Sequence, residues 1–339
     1  MLVLGEQHSV ILKQDGSVWS TTVAPYGRGN HFVPLISSGA RIVGAGKYYS
    51  IVVMQDDSVC FADRNSASQQ GDGLIISQGT CLFVKKITGA RAVAAGGYHS
   101  LVLTEEGYVW ATGWNNFGQL GDGSILEKTK FVQVIKSGAW VMAVAAGESH
   151  SIVLKEGGSV WAAGRNSAGQ LGDGSWERRI SFVKVMATGA VGLAAGGRHS
   201  MVLKQDGSVW ATGCNEYGQL GDGSFINRHE YLLVMSDGAK VAAAGKQHSV
   251  VLKKDGSVWT TGNNEHGQLG DGSATNSNVF VQVLSDGVRM IAAGGFHNMV
   301  IMQDGTVWAA GLNQNGQFGD GSTASEEIFA RLAPFSTGA

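Results

Sequence analysis

Proline and cysteine are almost missing from this 339-residue chain, with three of each. So few prolines exclude a collagen-like or polyproline architecture, although glycine is abundant at 51 residues, because those folds need proline beside a strict glycine triplet. Three scattered cysteines (Cys60, Cys81, Cys214) make neither a disulfide framework nor a zinc motif. They fit a reducing compartment, with Cys60 expected as a small core residue. Charge is low as well: 15% of residues, net −2. There is no lysine/arginine run and no basic tail, so neither nucleic acid nor an anionic membrane surface is indicated as a partner. No apolar run approaches the roughly 18 residues of a membrane-spanning helix. The opening MLVLGEQHSV lacks the basic and long apolar regions of a secretory signal, and a cytoplasmic location is expected.

What the chain does contain is a repeat. The motif G-x-x-[HY]-[SN] anchors it at His8, Tyr49, His99, His150, His199, His248 and His297, with spacings of 41, 50, 51, 49, 49 and 49. Eleven residues after each anchor stands Trp19, Cys60, Trp110, Trp161, Trp210, Trp259 or Trp308. A loop GQLGDGS or GQFGDGS follows in five repeats, with SQQGDGL (68–74) in the second. Self-similarity at this period indicates a solenoid or a propeller.

Each unit reads as strands. In SLVLTEEGYVWATG (100–113) two runs of apolar alternation flank a turn. Four units carry Asp-Gly there (15–16, 206–207, 255–256, 304–305), which predicts a hairpin with positive φ at both central residues. A small apolar run precedes each anchor, and another (FVQV at 131–134 and 280–283, FVKV at 182–185) follows GDGS. Four strands in about 49 residues, without helical period, predict an all-β, closed seven-bladed propeller of antiparallel strands. It is one domain over 1–339, with approximate blades 1–40, 41–90, 91–139, 140–190, 191–239, 240–288 and 289–339. Counting from Gly338 through Ala339 and Met1 to His8 gives 9 residues, against 10 in most other repeats, so the ring is expected to close with little room for a swapped strand.

The GDGS loops do not suit phosphate or calcium. A phosphate loop needs a lysine and a following helix, and a calcium loop needs several carboxylates, whereas each loop here has one Asp. They are expected to be turns, with Gly in left-handed positions and Asp or Ser bonding local backbone. The anchors His8, His99, His150, His199, His248 and His297 stand on separate blades about 10 Å apart, too far for one metal ion. The adjacent Ser9, Ser100, Ser151, Ser200 and Ser249 point to the opposite strand face. The histidines are therefore expected to be structural, bonded to backbone. Trp19, Trp110, Trp161, Trp210, Trp259 and Trp308 are expected to pack between blades. No cofactor or metal is called for.

The pattern AAGxxHSxVLxxDGxVWATGxNxxGQLGDGS resembles the repeat of the regulator of chromosome condensation family, seven-bladed β-propellers, over nearly the whole chain. The second repeat is eroded (Tyr49, Asp57, Cys60, Leu74), and the first has Gly27-Arg28-Gly29 in place of the GDGS loop. The family's founding member is an exchange factor for the small GTPase Ran and binds chromatin. The resemblance implies that activity as an alternative. The founding member exchanges nucleotide through an insertion from one blade, and here no repeat exceeds 51 residues.

Three sets of positions escape the consensus. The first is the pair before each anchor, expected to ring the channel mouth: Glu6-Gln7, Lys47-Tyr48, Gly97-Tyr98, Glu148-Ser149, Gly197-Arg198, Lys246-Gln247 and Gly295-Phe296. The second lies in the G-x-N-x-x-G loop and includes Trp114, Phe117, Arg165, Tyr217 and His266. The third follows GDGS and includes Trp176 and Phe225. Aromatics and arginine are the residue types enriched at interface hot spots. The binding candidates are thus Tyr48, Tyr98, Arg198 and Phe296, with Gln7, Gln247, Trp114, Phe117, Tyr217, Trp176 and Phe225. A hydrolase would need converging carboxylates or a base-activated nucleophile, and neither pattern is present. The expectation is a non-catalytic interaction scaffold that binds a protein, as a monomer or as a subunit of a hetero-complex.

Overall fold

The computed structural model describes residues 1–23, 27–63, 68–71, 78–136 and 140–333. Residues 72–74 of the second loop, Gly138, Gly338, Ala339 and the Cys81 side chain lie outside that description. Seven four-stranded antiparallel sheets follow one another, each built in chain order from inner to outer strand. They form blades 1 (2–36), 2 (40–86), 3 (90–135), 4 (141–186), 5 (190–235), 6 (239–284) and 7 (288–331). The one helical turn among the described residues is Glu156–Gly158, a hairpin connection.

Burial within a blade explains the residue pattern. The second strand, His150–Lys155 in blade 4, is covered by neighbouring blades on both faces, and five of its six residues are buried. A doubly covered strand reads as the continuous apolar run SIVL, without alternation. The outer strand, Arg179–Met186, has one face in water and no fully buried residue. The hairpin between the second and third strands departs from expectation. In blade 5, Gly207 N donates to Lys204 O at 3.0 Å and Lys204 N to Ser208 O at 2.9 Å, with φ +85° at Gly207. This is a type I turn ending in a left-handed glycine, and the only non-glycine residues with positive φ among those described are Asp57 and Ser68. Asp206 caps the turn by accepting Ser208 N at 2.9 Å and Ser208 Oγ at 2.6 Å. In blade 2, Asp57 occupies the left-handed position. It is held there by an ion pair with Arg41 and by accepting Gly89 N at 3.0 Å.

No sheet continues from one blade into the next. Three other layers of contact join the blades. At the axis, backbone N–H groups reach the next blade's glycine carbonyl all the way round. Examples are Glu6 N to Gly46 O at 3.3 Å and Gly97 N to Gly147 O at 3.1 Å, and the ring closes through Gly295 N to Gly5 O at 3.1 Å. Blades 1 and 7 each keep their own four strands.

The second layer is a circular chain of side chains. Each anchor bonds the residue after the next blade's anchor: His8 to Ser50 at 3.0 Å, His99 to Ser151, His150 to Ser200 and His248 to Asn298 at 2.9 Å, and His199 to Ser249 at 3.0 Å. Tyr49 stands in for His with Ser100 at 2.9 Å, and His297 closes the circle on Ser9 at 3.2 Å. This corrects the expected bond to backbone: side chains facing away within one motif meet across the blade interface. Ser200 Oγ donates to Gln170 O at 2.7 Å. It must then accept from His150, which places the proton on Nε2. Nδ1 has no partner in His99, His150, His199, His248 or His297, and it packs on the glycine three residues earlier. A Cβ at Gly147 would lie 2.6 Å from His150 Nδ1. Burial pulls the pKa of all six histidines down to about 3 or 4.

The third layer answers what the GDGS loops do. As expected, Asp173 accepts Ser175 N at 3.1 Å and glycines hold the left-handed positions. Asn166 ties the loop, donating to Asp173 at 2.9 Å and accepting Leu171 N at 3.0 Å. The loop also clasps the following blade. The backbone of Asp173 forms an isolated antiparallel β-bridge with that of Glu230, and Gly174 N donates to His229 O at 2.9 Å. Gly172 receives the ring of Tyr231, a role that Phe182, Phe280, Phe329 and Phe32 take at other interfaces.

The repeat tryptophans are half-buried rather than enclosed. Trp210 packs on Leu154 and Val160 of the preceding blade. Its Nε1 donates to Ser208 at 3.1 Å, and Lys204 lies over the ring at 4.0 Å. Cys60 is fully buried, as expected of a small core residue. It is also disulfide-bonded, which removes cysteine scarcity as a sign of a reducing compartment. Cys214 is free and buried.

Candidate interaction face

Four strands that alternate in direction place their connections on two opposite faces. The turn before the anchor and the long connection from the third to the fourth strand share one face. The Asp-Gly hairpins and blade-to-blade linkers share the other. Backbone bonds tie the first two variable sets together: Trp114 N to Tyr98 O at 2.8 Å, Arg165 N to Ser149 O at 2.9 Å, Cys214 N to Arg198 O at 2.8 Å, Asn263 N to Gln247 O at 2.9 Å and Leu312 N to Phe296 O at 2.8 Å. The third set extends the same connection outward. All three variable sets therefore converge on one face.

The pre-anchor pair divides its work. Its first member lines an axial cavity of about 110 Å³: Glu6, Lys47, Gly97, Glu148, Gly197, Lys246 and Gly295. The second members, among them Tyr48, Tyr98, Arg198 and Phe296, stand outside that lining. An ion-pair network that sequence reading missed lines this cavity. Lys47 lies 3.5 Å from Glu6 and 3.6 Å from Glu148, and Lys246 lies 2.7 Å from Glu6. Burial works against the Lys47 ammonium, but Glu6 and Glu148 outweigh it and its pKa is raised. The glycines make room: a Cβ on Gly97 would meet Glu148 Cγ at 3.2 Å. The available signal was the interleaving of Glu, Lys and Gly at these seven positions.

Outside this network runs an aromatic ridge. Tyr98 and Trp114 meet edge to face at 6.0 Å, as do Trp114 and Phe117 at 5.3 Å. Lys47 lies 5.5 Å from the Tyr98 ring and 5.4 Å from the Tyr48 ring, and Arg165 lies 5.0 Å from Phe117. A smaller cluster pairs Phe296 with His266 at 5.3 Å, with Lys246 at 5.1 Å. Tyr48, Tyr98, Trp114, Phe117, Arg198, Tyr217, Gln247 and Phe296 are half-buried, and Gln7 is exposed. Further out, Trp176 is 47%, Phe225 53% and Leu126 67% exposed, high values for large apolar side chains. Among the described residues no group of three His, Cys, Asp or Glu is placed to hold a metal.

The RCC1-like domain model matches residues 79–337. The chain belongs to the RCC1-like domain family. Solved structures agree with the fold of this RCC1-like propeller. Human WBSCR16 superposes with a TM-score of 0.81 at 22% identity, over 90% of this chain and 85% of that one. Yeast RCC1 (Prp20) bound to Kap60 gives 0.82 at 19%, over 91% and 79%. Prp20p from Saccharomyces cerevisiae, a structure reported with binding properties to Gsp1p and histones, gives 0.81 at 20%, over 93% and 83%. No curated protein matches the sequence.

Proposed function

We propose that this RCC1-like propeller is a non-catalytic interaction scaffold that holds a protein partner on the face carrying its loop connections. The observation that supports this most is convergence. The three variable sets, before the anchors, in the G-x-N-x-x-G loop and after GDGS, emerge on one face, beside half-exposed Tyr98, Trp114 and Phe117 and exposed Trp176 and Phe225. Aromatic anchors with low side-chain entropy and an arginine are what an interface core uses. The buried Ser–His pairs give no competing catalytic reading, because each Ser hydroxyl is enclosed and already committed; Ser151, for example, donates to Gln119 O at 2.7 Å. The test is affinity capture followed by mass spectrometry, repeated with Tyr98→Ala, Trp114→Ala and Phe117→Ala together. Partners captured by the wild type should be lost with the triple variant at equal folded protein. Undiminished capture would move the site elsewhere.

A second reading is exchange-factor activity toward a Ran-like GTPase. It draws on the likeness to Prp20, whose structures were reported bound to Kap60 and with binding to Gsp1p and histones. An exchange factor would accelerate nucleotide release at substoichiometric amounts, whereas a scaffold would bind stoichiometrically without turnover.

A further inference from the structure

We infer that the shoulder between blades 3 and 4 takes an acidic peptide segment carrying an apolar anchor. This rests on the loop face being the interaction face, and it adds the chemistry of the partner. Basic residues in the loops after GDGS are generally paired within their own blade: Lys128 with Asp122 at 3.1 Å, Arg179 with Asp173 at 2.6 Å and Arg228 with Asp222 at 2.7 Å. Two arginines of blade 4, Arg178 in that loop and Arg165 in the G-x-N-x-x-G loop before it, have no such partner and lean instead on the blade 3 loop. Arg165 lies 5.0 Å from the Phe117 ring and spends only Nε on Ser167, at 2.9 Å. Arg178 is exposed and donates to Asn116 O at 3.1 Å. Neither has a carboxylate partner among the described residues.

Asn116 and Phe117 are consecutive, so two unpaired guanidinium groups flank one loop. Apolar surface adjoins them: the Trp114–Phe117 pair, and exposed Leu126, whose carbonyl accepts from Asn115 Nδ2 at 3.1 Å. A guanidinium fork suits a carboxylate bidentately, and a ring or branched side chain between two acids would lie against Trp114 and Phe117. In a chain of net charge −2, two uncompensated positive charges beside apolar surface form a local site of opposite sign. A basic segment would meet repulsion there.

The experiment uses the full chain and labelled peptides of about twelve residues in fluorescence anisotropy. One has a central Phe-Leu pair flanked by Asp and Glu, a second replaces the acids by Lys, and a third keeps the acids but replaces Phe-Leu by Gly-Ser. The acidic apolar peptide should bind at least tenfold tighter than either control, and its affinity should fall as salt rises. Arg165→Glu with Arg178→Glu should shift preference to the Lys peptide, with the thermal midpoint held. Equal binding of the acidic and Lys peptides, or an acidic preference that survives the double reversal, overturns the inference. If the aromatic triple variant loses a captured partner that the double reversal retains, the face stands and the acidic chemistry falls.

Discussion

The seams between blades and the face above them obey opposite rules. At the seams each interaction recurs around the ring. His150 bonds Ser200, His199 bonds Ser249, and Gly172 receives Tyr231 as Gly221 receives Phe280. The variable positions of the face follow no such rule: the residue after the last glycine of the third strand is Trp114, Arg165, Cys214, Asn263 or Leu312. A ring that must close gains from identical joints, while a surface that must recognise something gains from differing residues. Stability and recognition are therefore carried by separate side chains, and substitutions should separate them.

The largest effect should come from acid. The six anchor histidines are neutral in the fold, held by burial at pKa values of about 3 to 4. Unfolded, they take up protons near pH 6.5. A depressed folded pKa on a base means that stability is fully present above about pH 6.5 and is lost as pH falls below it. Six protons gained on unfolding correspond to a slope of up to roughly 8 kcal/mol per pH unit. Denaturant midpoints followed from pH 7 to pH 4 should collapse within that window, and a flat profile would remove the histidine ring as a stabilising element.

His150→Ala should cost about 3–5 kcal/mol, because it opens a cavity and leaves Ser200 without its donor. A smaller contrast lies inside one loop. Gly221 and Gly223 both have positive φ, +74° and +80°. A Cβ on Gly221 would meet the Phe280 ring at 2.6 Å, while one on Gly223 would meet nothing within 4 Å. Gly221→Ala should therefore cost about 3 kcal/mol from strain plus overpacking, and Gly223→Ala about 1 from strain alone. Equal costs in urea titration would show that the Gly–aromatic seat is unimportant. On the face, Arg165→Ala should change stability by less than about 0.5 kcal/mol.

The sequence made the blade legible because its signals are local: alternation, an Asp-Gly turn and a fixed period. It hid the joints because their partners are some 50 residues apart, as His150 and Ser200 are. Strand geometry alone correctly separates His150 from Ser151 but cannot say which neighbouring blade each meets. The turn was misread in detail, since Asp-Gly is compatible with a two-residue loop, whereas the lysine before it closes a longer one. The role of Gly172 was visible only in part. Tyr231 and Phe280 recur at a constant offset from the loops, but a recurring aromatic also suits an ordinary outer strand. For the face, the sequence pointed to residue types, while only the fold shows that Tyr98, Trp114 and Phe117 form one ridge and that Glu6, Lys47, Glu148 and Lys246 form an ion-pair network in the channel beside it.

The division between seam and face is tested most directly by hydrogen exchange of the propeller with and without a captured partner. Added protection should concentrate at 114–118, 165–169 and 176–180, with none at the opposite hairpins 204–208 and 253–257. Protection centred on those hairpins would contradict the assignment of recognition to the loop face.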